Sequence, residues 1–203
     1  MNLGFLASGR GSNMQAVIDA CKSGQLAAEP RVVIGNNSGS GALARADQEG
    51  IPRYHLSGRT HPDPAQLDAA IIDVLLRHEV ELVVLAGYMK RLGPQTLERY
   101  AGRIINIHPA LLPKFGGPGM YGARVHQAVL AAGEKETGVT IHLVDAEYDT
   151  GPIVAQCRVQ VLADDTVESL ARRVLEREHS FLVETIAEIM AGKSTYPPKE
   201  KAR

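Results

Sequence analysis

Asn106, His108 and Asp149 are the residues of this chain whose types and spacing best suit chemistry. The first two stand in Ile104-Ile105-Asn106-Ile107-His108-Pro109. That run reads as a buried strand delivering an amide and an imidazole to its carboxyl end, where Pro109 stops the ladder. Asp149 opens Asp149-Thr150-Gly151-Pro152, a turn that the glycine and proline hold tight. Amide, imidazole and carboxylate together can polarise a carbonyl, move a proton and keep the imidazole charged. None of the three is a good nucleophile in this setting. The set points to group transfer by direct attack of a substrate amine, without a covalent enzyme intermediate. A lone histidine after a strand is more often a satisfied structural residue. Convergence of the three side chains decides between the readings, and spacing alone does not supply it.

Three further stretches belong to the same argument. Ser8-Gly9-Arg10-Gly11-Ser12-Asn13 falls between a strand and a helix. Its glycines let backbone amides crowd an anion, and the helix start adds a favourable dipole. It is not a P-loop, because no Gly-Lys-Ser/Thr follows. It is not a dinucleotide fingerprint either: Met14 stands at the third glycine, and Asn36 and Asn37 replace the acid after the second strand. The competing reading is a plain tight turn. Gly87 to Leu92 follows the fourth strand; Tyr88, Met89 and Leu92 offer an apolar wall, while Lys90 and Arg91 either meet an acidic ligand tail or form a solvated pair. Lys114 to Gly122 is rich in glycine and reads as a lid or a wrapped connection. His142, inside an apolar strand, reads as a hydrogen-bonded group behind the site. Glu178 either faces the cleft or is a solvated helix position. No His/Cys/Asp cluster has metal-ligand spacing, so no metal is expected.

The elements that must position these residues follow from periodicity. Strands are expected over Leu3–Ala7, Arg31–Gly35, Arg53–Leu56, Glu81–Ala86 and Arg103–Ile107. Helices are expected over Asn13–Lys22, Ala42–Gln48 with Gly50 closing it, and Pro64–His78, with a helical turn or two at Pro94–Tyr100. The alternation implies right-handed crossovers and a parallel, doubly wound α/β sheet. Thr137–Val144 and Ile153–Val161 then form an antiparallel extension, and a long helix from Thr166 to about Met190 closes the fold, capped by Asp165 or Thr166. Residues 1–193 are expected to form one domain, with 194–203 a polar, poorly ordered tail.

Composition narrows the class. The 203 residues are 44% hydrophobic and 22% charged, which is ordinary for a globular chain. A net charge of −1 without a basic stripe argues against nucleic acid. Cys21 and Cys157 are too few for a disulfide framework, so a reducing cytoplasm is expected. The first residues lack a basic signal-peptide start, and no apolar stretch reaches membrane-span length, so no membrane partner is expected.

Taken together, Ser8-Gly-Arg-Gly-Ser-Asn13, Leu85-Ala-Gly-Tyr-Met89, Asn106-Ile-His-Pro-Ala-Leu-Leu-Pro113, Gly138-Val-Thr-Ile-His142, Asp149-Thr-Gly-Pro152 and Glu178-His179 resemble the glycinamide ribonucleotide formyltransferases, folate-dependent enzymes of purine synthesis. The resemblance covers nearly the whole chain, and the first motif discriminates among formyl-group enzymes. It implies a Rossmann-like formyltransferase fold and the ligands 10-formyltetrahydrofolate and glycinamide ribonucleotide. Asn106, His108 and Asp149 would be catalytic. Gly11, Ser12, Asn13 and Pro109 would contact the ribonucleotide, the first three at its phosphate, and Glu178 would face its amine. Met89, Lys90, Arg91, Leu92 and Asn106 would border the folate with the turn from Asp145 to Asp149; His142 would lie behind them. The implied mechanism has Asp149 holding His108 protonated while Asn106 and His108 stabilise the formyl oxygen.

Three departures mark this chain. Lys90 and Pro64 stand where many relatives carry Arg, and Met120-Tyr121-Gly122 belongs to a longer Gly-rich stretch. Formyltetrahydrofolate deformylases would add an N-terminal regulatory domain, and methionyl-tRNA formyltransferases a C-terminal RNA-binding domain; neither is expected here. A non-catalytic nucleotide-binding module would need the phosphate loop without the trio. A monomer or homodimer is expected.

Overall fold

The computed structural model describes residues 1–193, and the expected tail from 194 to 203 lies outside them. Seven strands form one sheet: β1 (Asn2–Ala7), β2 (Glu29–Gly35), β3 (Arg53–His55), β4 (Leu82–Leu85), β5 (Ile104–His108), β6 (Glu136–Leu143) and β7 (Ile153–Gln160). Their order is β3-β2-β1-β4-β5-β6-β7. The first five are parallel, while β6 pairs antiparallel with both β5 and β7. The doubly wound sheet with an antiparallel extension is therefore as expected.

Residues alternate between the two faces because the strand period is two. Phe5, Val33, Val84 and Ile105 pack on one face, under α1 (Ser12–Lys22), α2 (Gly41–Gln48) and α6 (Val167–Met190). Leu6, Ile34, Val83 and Ile104 pack on the other, against α3 (Pro64–Arg77) and the short α4 (Pro94–Arg99). Covered faces on both sides explain why β1 from Leu3 onward and all of β4 are apolar without interruption. Chain order reverses on either side of β1, which leaves a crevice outside the carboxyl ends of β1 and β4.

Local chemistry sets the ends of α6. Thr166 accepts from the Ser169 amide and Ser169 Oγ accepts from the Thr166 amide, a capping box. Asp165 supports it differently from the cap first expected. Both its oxygens lie 2.7 Å from the Arg173 guanidinium, and that pairing holds its carboxyl well below the usual range.

One element was not expected: α5 (Ala123–Ala131), between β5 and β6. Val125 and Val129 bury one side of it. Its N-cap is Gly122, without a side-chain hydrogen bond, so the usual Ser/Thr/Asp start signal is missing.

Candidate active site

A cavity of about 900 Å³ opens at the carboxyl ends of the central strands. Its walls are the first loop, the segment after β4, the β6–β7 turn, the Gly-rich segment before α5 and one side of α6. Asn106, His108 and Asp149 all line it, so the convergence that spacing could not supply is present.

Strand register does part of the positioning. Asn106 and His108 are two apart in β5 and share a face. Asn106 lies opposite His142 of β6, and its Nδ2 is 3.0 Å from His142 Nε2. His142 Nδ1 is 2.7 Å from the Leu143 carbonyl, which can only accept, so Nδ1 carries the proton and Nε2 accepts from the amide. The same Nδ2 stands 3.4 Å from Asp149 Oδ1. His142 is hydrogen-bonded, as its place in an apolar strand suggested, and it lines the cavity as well.

The β6–β7 turn supplies the carboxylate. Asp149 adopts φ 59, a left-handed conformation uncommon outside glycine. At Gly151 a Cβ would run into the Leu143 carbonyl, so only glycine lets the turn fold back on β6. Asp149 Oδ2 stands 3.6 Å from His108 Nδ1 and accepts from the Gly117 amide at 2.9 Å. On the other side of the ring, His108 Nε2 donates to the Phe115 carbonyl at 2.8 Å. The Gly-rich segment is therefore docked on both members of the pair.

Burial decides the protonation of that pair. His108 is 4% exposed, and burial pushes its imidazole below the ordinary value; the Asp149 carboxylate opposes this without overcoming it. Burial therefore works against the resting imidazolium expected from the sequence, and Asp149 works for it. Burial also pushes the Asp149 carboxyl up, but its polar neighbours, the Gly117 amide among them, bring it below its ordinary value, so it is ionised.

The first loop ends in Gly11, the N-cap of α1, at φ 72. A Cβ there would lie 2.8 Å from Ala42 Cα, so α2 packs directly against the loop. No side chain caps α1, which leaves its first-turn amides for an anion. Asn13 Nδ2 donates to Glu178 Oε2 at 3.3 Å, while Asn13 Oδ1 is buried without a partner among the described residues. Glu178 is 7% exposed, and burial pushes its carboxyl up to about 7. It faces the cavity and is not a solvated helix position.

The remaining expected residues divide. Pro109, Met89 and Leu92 line the cavity. Asp145 lines it too, while its carboxylate accepts from Thr150 Oγ1 and the Glu147 amide and so braces the turn. Arg91 is engaged with that same turn, 2.9 Å from Glu147 Oε1. Lys90 has no described partner and borders both this cavity and a neighbouring one of about 660 Å³, which Arg59 and Pro64 also line. Residues not foreseen are Phe115 and Gly117, acting through backbone atoms, and His126, buried on α5 with an unpartnered Nδ1. Among the described residues no group of three ligands could hold a metal ion.

The sequence profile of the formyl transferase family matches residues 1–186. The chain belongs to the formyl transferase family. It is 41% identical over 177 residues to a phosphoribosylglycinamide formyltransferase of Haemophilus influenzae, covering 87% of this chain and 81% of that protein. A chloroplastic phosphoribosylglycinamide formyltransferase of Arabidopsis thaliana is 40% identical over 92% of this chain, which spans 64% of that relative's length, less than two thirds. Among solved structures, glycinamide ribonucleotide transformylase 1 from Symbiobacterium toebii superposes with a TM-score of 0.87 at 38% identity, covering 95% of this chain and 88% of that one. The Rossmann-like formyltransferase fold is thereby established for the chain.

Proposed function

We propose that the chain transfers the formyl group of 10-formyltetrahydrofolate to the amine of glycinamide ribonucleotide, a step of purine synthesis. The observation that carries this reading is one cavity holding both the Asn106–His108–Asp149 cluster and the uncapped start of α1. Family membership and the names of the relatives support it. The cavity lies at the upper end of the roughly 300–1,000 Å³ usual for small-molecule sites.

The residues divide the work. Gly11, Ser12 and Asn13 hold the ribonucleotide phosphate through backbone amides at the start of α1. Tyr88, Leu92 and Val144 give a flat apolar ring its walls, and Lys90, beside them without a described partner, is a cation for an acidic tail. The folate supplies the formyl carbon, and the ribonucleotide supplies the attacking nitrogen.

Asn106 turns the N–H now on its long contact with Asp149 toward the formyl oxygen. His108 exchanges its Phe115 acceptor for the same oxygen. One such donor is worth roughly 3–4 kcal/mol when charge develops on it. Asp149 favours the positive charge that His108 takes on as protons move. It accepts the proton that the attacking nitrogen sheds and hands it to His108, and the imidazolium so formed gives a proton to the folate nitrogen as the bond from that nitrogen to the formyl carbon breaks. Glu178, with its carboxyl near 7, accepts a hydrogen bond from the amine and helps keep that nitrogen's lone pair aimed at the carbon.

No described helix is long and apolar enough to cross a membrane, and both proposed ligands are small molecules. The deciding experiment is a formyl-transfer assay in which each substrate is omitted in turn. Transfer that needs both ligands is expected. Steady release of formate without the ribonucleotide would assign the site to a hydrolase instead.

A further inference from the structure

The cavity has two lips. One is the segment Met89–Leu92 after β4; the other is the β6–β7 turn, residues 144–149. Arg91 crosses between them. Its Nη2 donates to the Ala146 carbonyl, lies 2.9 Å from Glu147 Oε1, and its guanidinium carbon sits 5.6 Å from the centroid of the Tyr148 ring. Three consecutive residues of the far lip are thus held by one guanidinium from the near lip. The planar fork suits this: its edge meets a carbonyl and a carboxylate while its face meets a ring. Among the described residues no other hydrogen bond joins these two segments.

The strap is poorly placed to hold the fold together. The Arg91 side chain is 51% exposed and that of Glu147 69%, and ion pairs so exposed add little to stability. It is well placed to set the width of the slot. The far lip is braced internally, because Asp145 ties Glu147 and Thr150 into one unit. Asp149 lies within that unit, so the lip carries the carboxylate that faces His108.

We propose that Arg91 is a positioning residue that straps the cleft shut over the folate ring and, through the braced turn, fixes the approach of Asp149 to His108. The inference rests on the folate reading of this cavity. Arg91 touches no reacting atom in this role. The chemistry it requires of the ligand is a flat ring system thin enough to lie between Leu92 and Val144 while the strap is closed.

Arg91→Ala, Arg91→Lys and Glu147→Gln test it, with the two KM values, kcat and the Kd of 10-formyltetrahydrofolate measured on each full-length variant. Arg91→Ala is expected to raise the folate KM and Kd about ten-fold, the loss of one rim contact set, while the ribonucleotide KM moves less than about two-fold. Arg91→Lys keeps the charge but not the fork and is expected to recover only part of the loss. Glu147→Gln leaves the carbonyl and ring contacts and is expected to stay near the parent value. An unchanged folate Kd in Arg91→Ala would overturn the proposal. So would an equal rise in both KM values, which would mark general damage. The Kd comparison remains readable even if the parent chain binds the folate without transferring its formyl group, an outcome that would sink the proposed reaction and not the strap.

Discussion

Asn106 Nδ2 stands 3.0 Å from His142 Nε2 across the antiparallel pair of β5 and β6. The contact gives the Asn106 amide a direction: the nitrogen is drawn to the His142 side, and the carbonyl oxygen is turned away. Register places the two residues opposite one another, so the orientation of a donor is set by the pairing of two strands.

Removing the acceptor tests that relationship. In His142→Phe the Asn106 amide is free to turn, and kcat is expected to fall roughly ten- to a hundred-fold, less than or equal to the 10²–10³ typical of deleting one oxyanion donor outright. Both KM values should change little. A kcat within two-fold of the parent enzyme would show that Asn106 is oriented by something else.

The His108–Asp149 pair makes a spectroscopic prediction. Burial already holds the imidazole below its ordinary value, and Asp149 is the nearby charge that opposes this. Asp149→Asn should therefore lower the His108 pKa further, as read by NMR titration of the ring proton. Stability follows the same sign. A histidine depressed on folding takes up protons more readily in the unfolded chain, so its contribution is present above about pH 6.5 and is lost as pH falls below that value. In kinetics, His108→Asn should cost on the order of 10²–10⁴ in kcat. The double variant should be little worse than the worse single one. Full multiplication of the two losses would mean that the residues do not act as a unit.

Glu178 makes a prediction of opposite sign. Its carboxyl, pushed up to about 7, keeps its proton in the fold where the unfolded chain would lose it near 4.5. Stability is therefore withdrawn as pH rises through that window. Glu178→Gln should raise the melting temperature at pH 8, by an amount equivalent to a few kcal/mol, and should have no such effect at pH 4. The ribonucleotide KM should rise at the same time. Equal melting shifts at both pH values would remove ionisation as the cause.

Two changes in the first loop should separate structure from binding. Gly11→Ala forces a Cβ against the backbone of α2 at φ 72, so it should cost on the order of 1 kcal/mol or more in stability as well as activity. Ser12→Asp leaves the turn intact but brings a negative charge to the start of α1. It should raise the ribonucleotide KM far more than the folate KM at an unchanged melting temperature. Equal effects on both substrates would show the loop to be only a turn.

Much of this was legible because the relevant signals are local. The apolar runs of β1, β4 and β5 and the pattern of α3 are written in adjacent residues, and the end of each strand was displaced by only a residue or two. The helix α5 was not legible: Gly122 gives it no polar cap, and the glycines before it read as a loop. The trio was recognisable by type, but its meeting depends on β6 folding back beside β5. Phe115 and Gly117 enter through a carbonyl and an amide, which every residue possesses, so no side-chain pattern announces them. Burial of His108 was equally hidden, and it opposes the charge that Asp149 favours.

The bond between Asn13 and Glu178 has a consequence for the order in which the molecule is made. The first loop precedes Glu178 by most of the described chain, and Glu178 belongs to α6, the last described helix, which packs beside α1. Until α6 has emerged, the loop has no wall behind it, and the long-range pairing of β1 with β4 must be held without help from a ligand seated there. Ligand that binds only the finished fold cannot template it during synthesis. The nascent chain therefore passes through its most exposed stage unprotected by any ligand of the finished cavity.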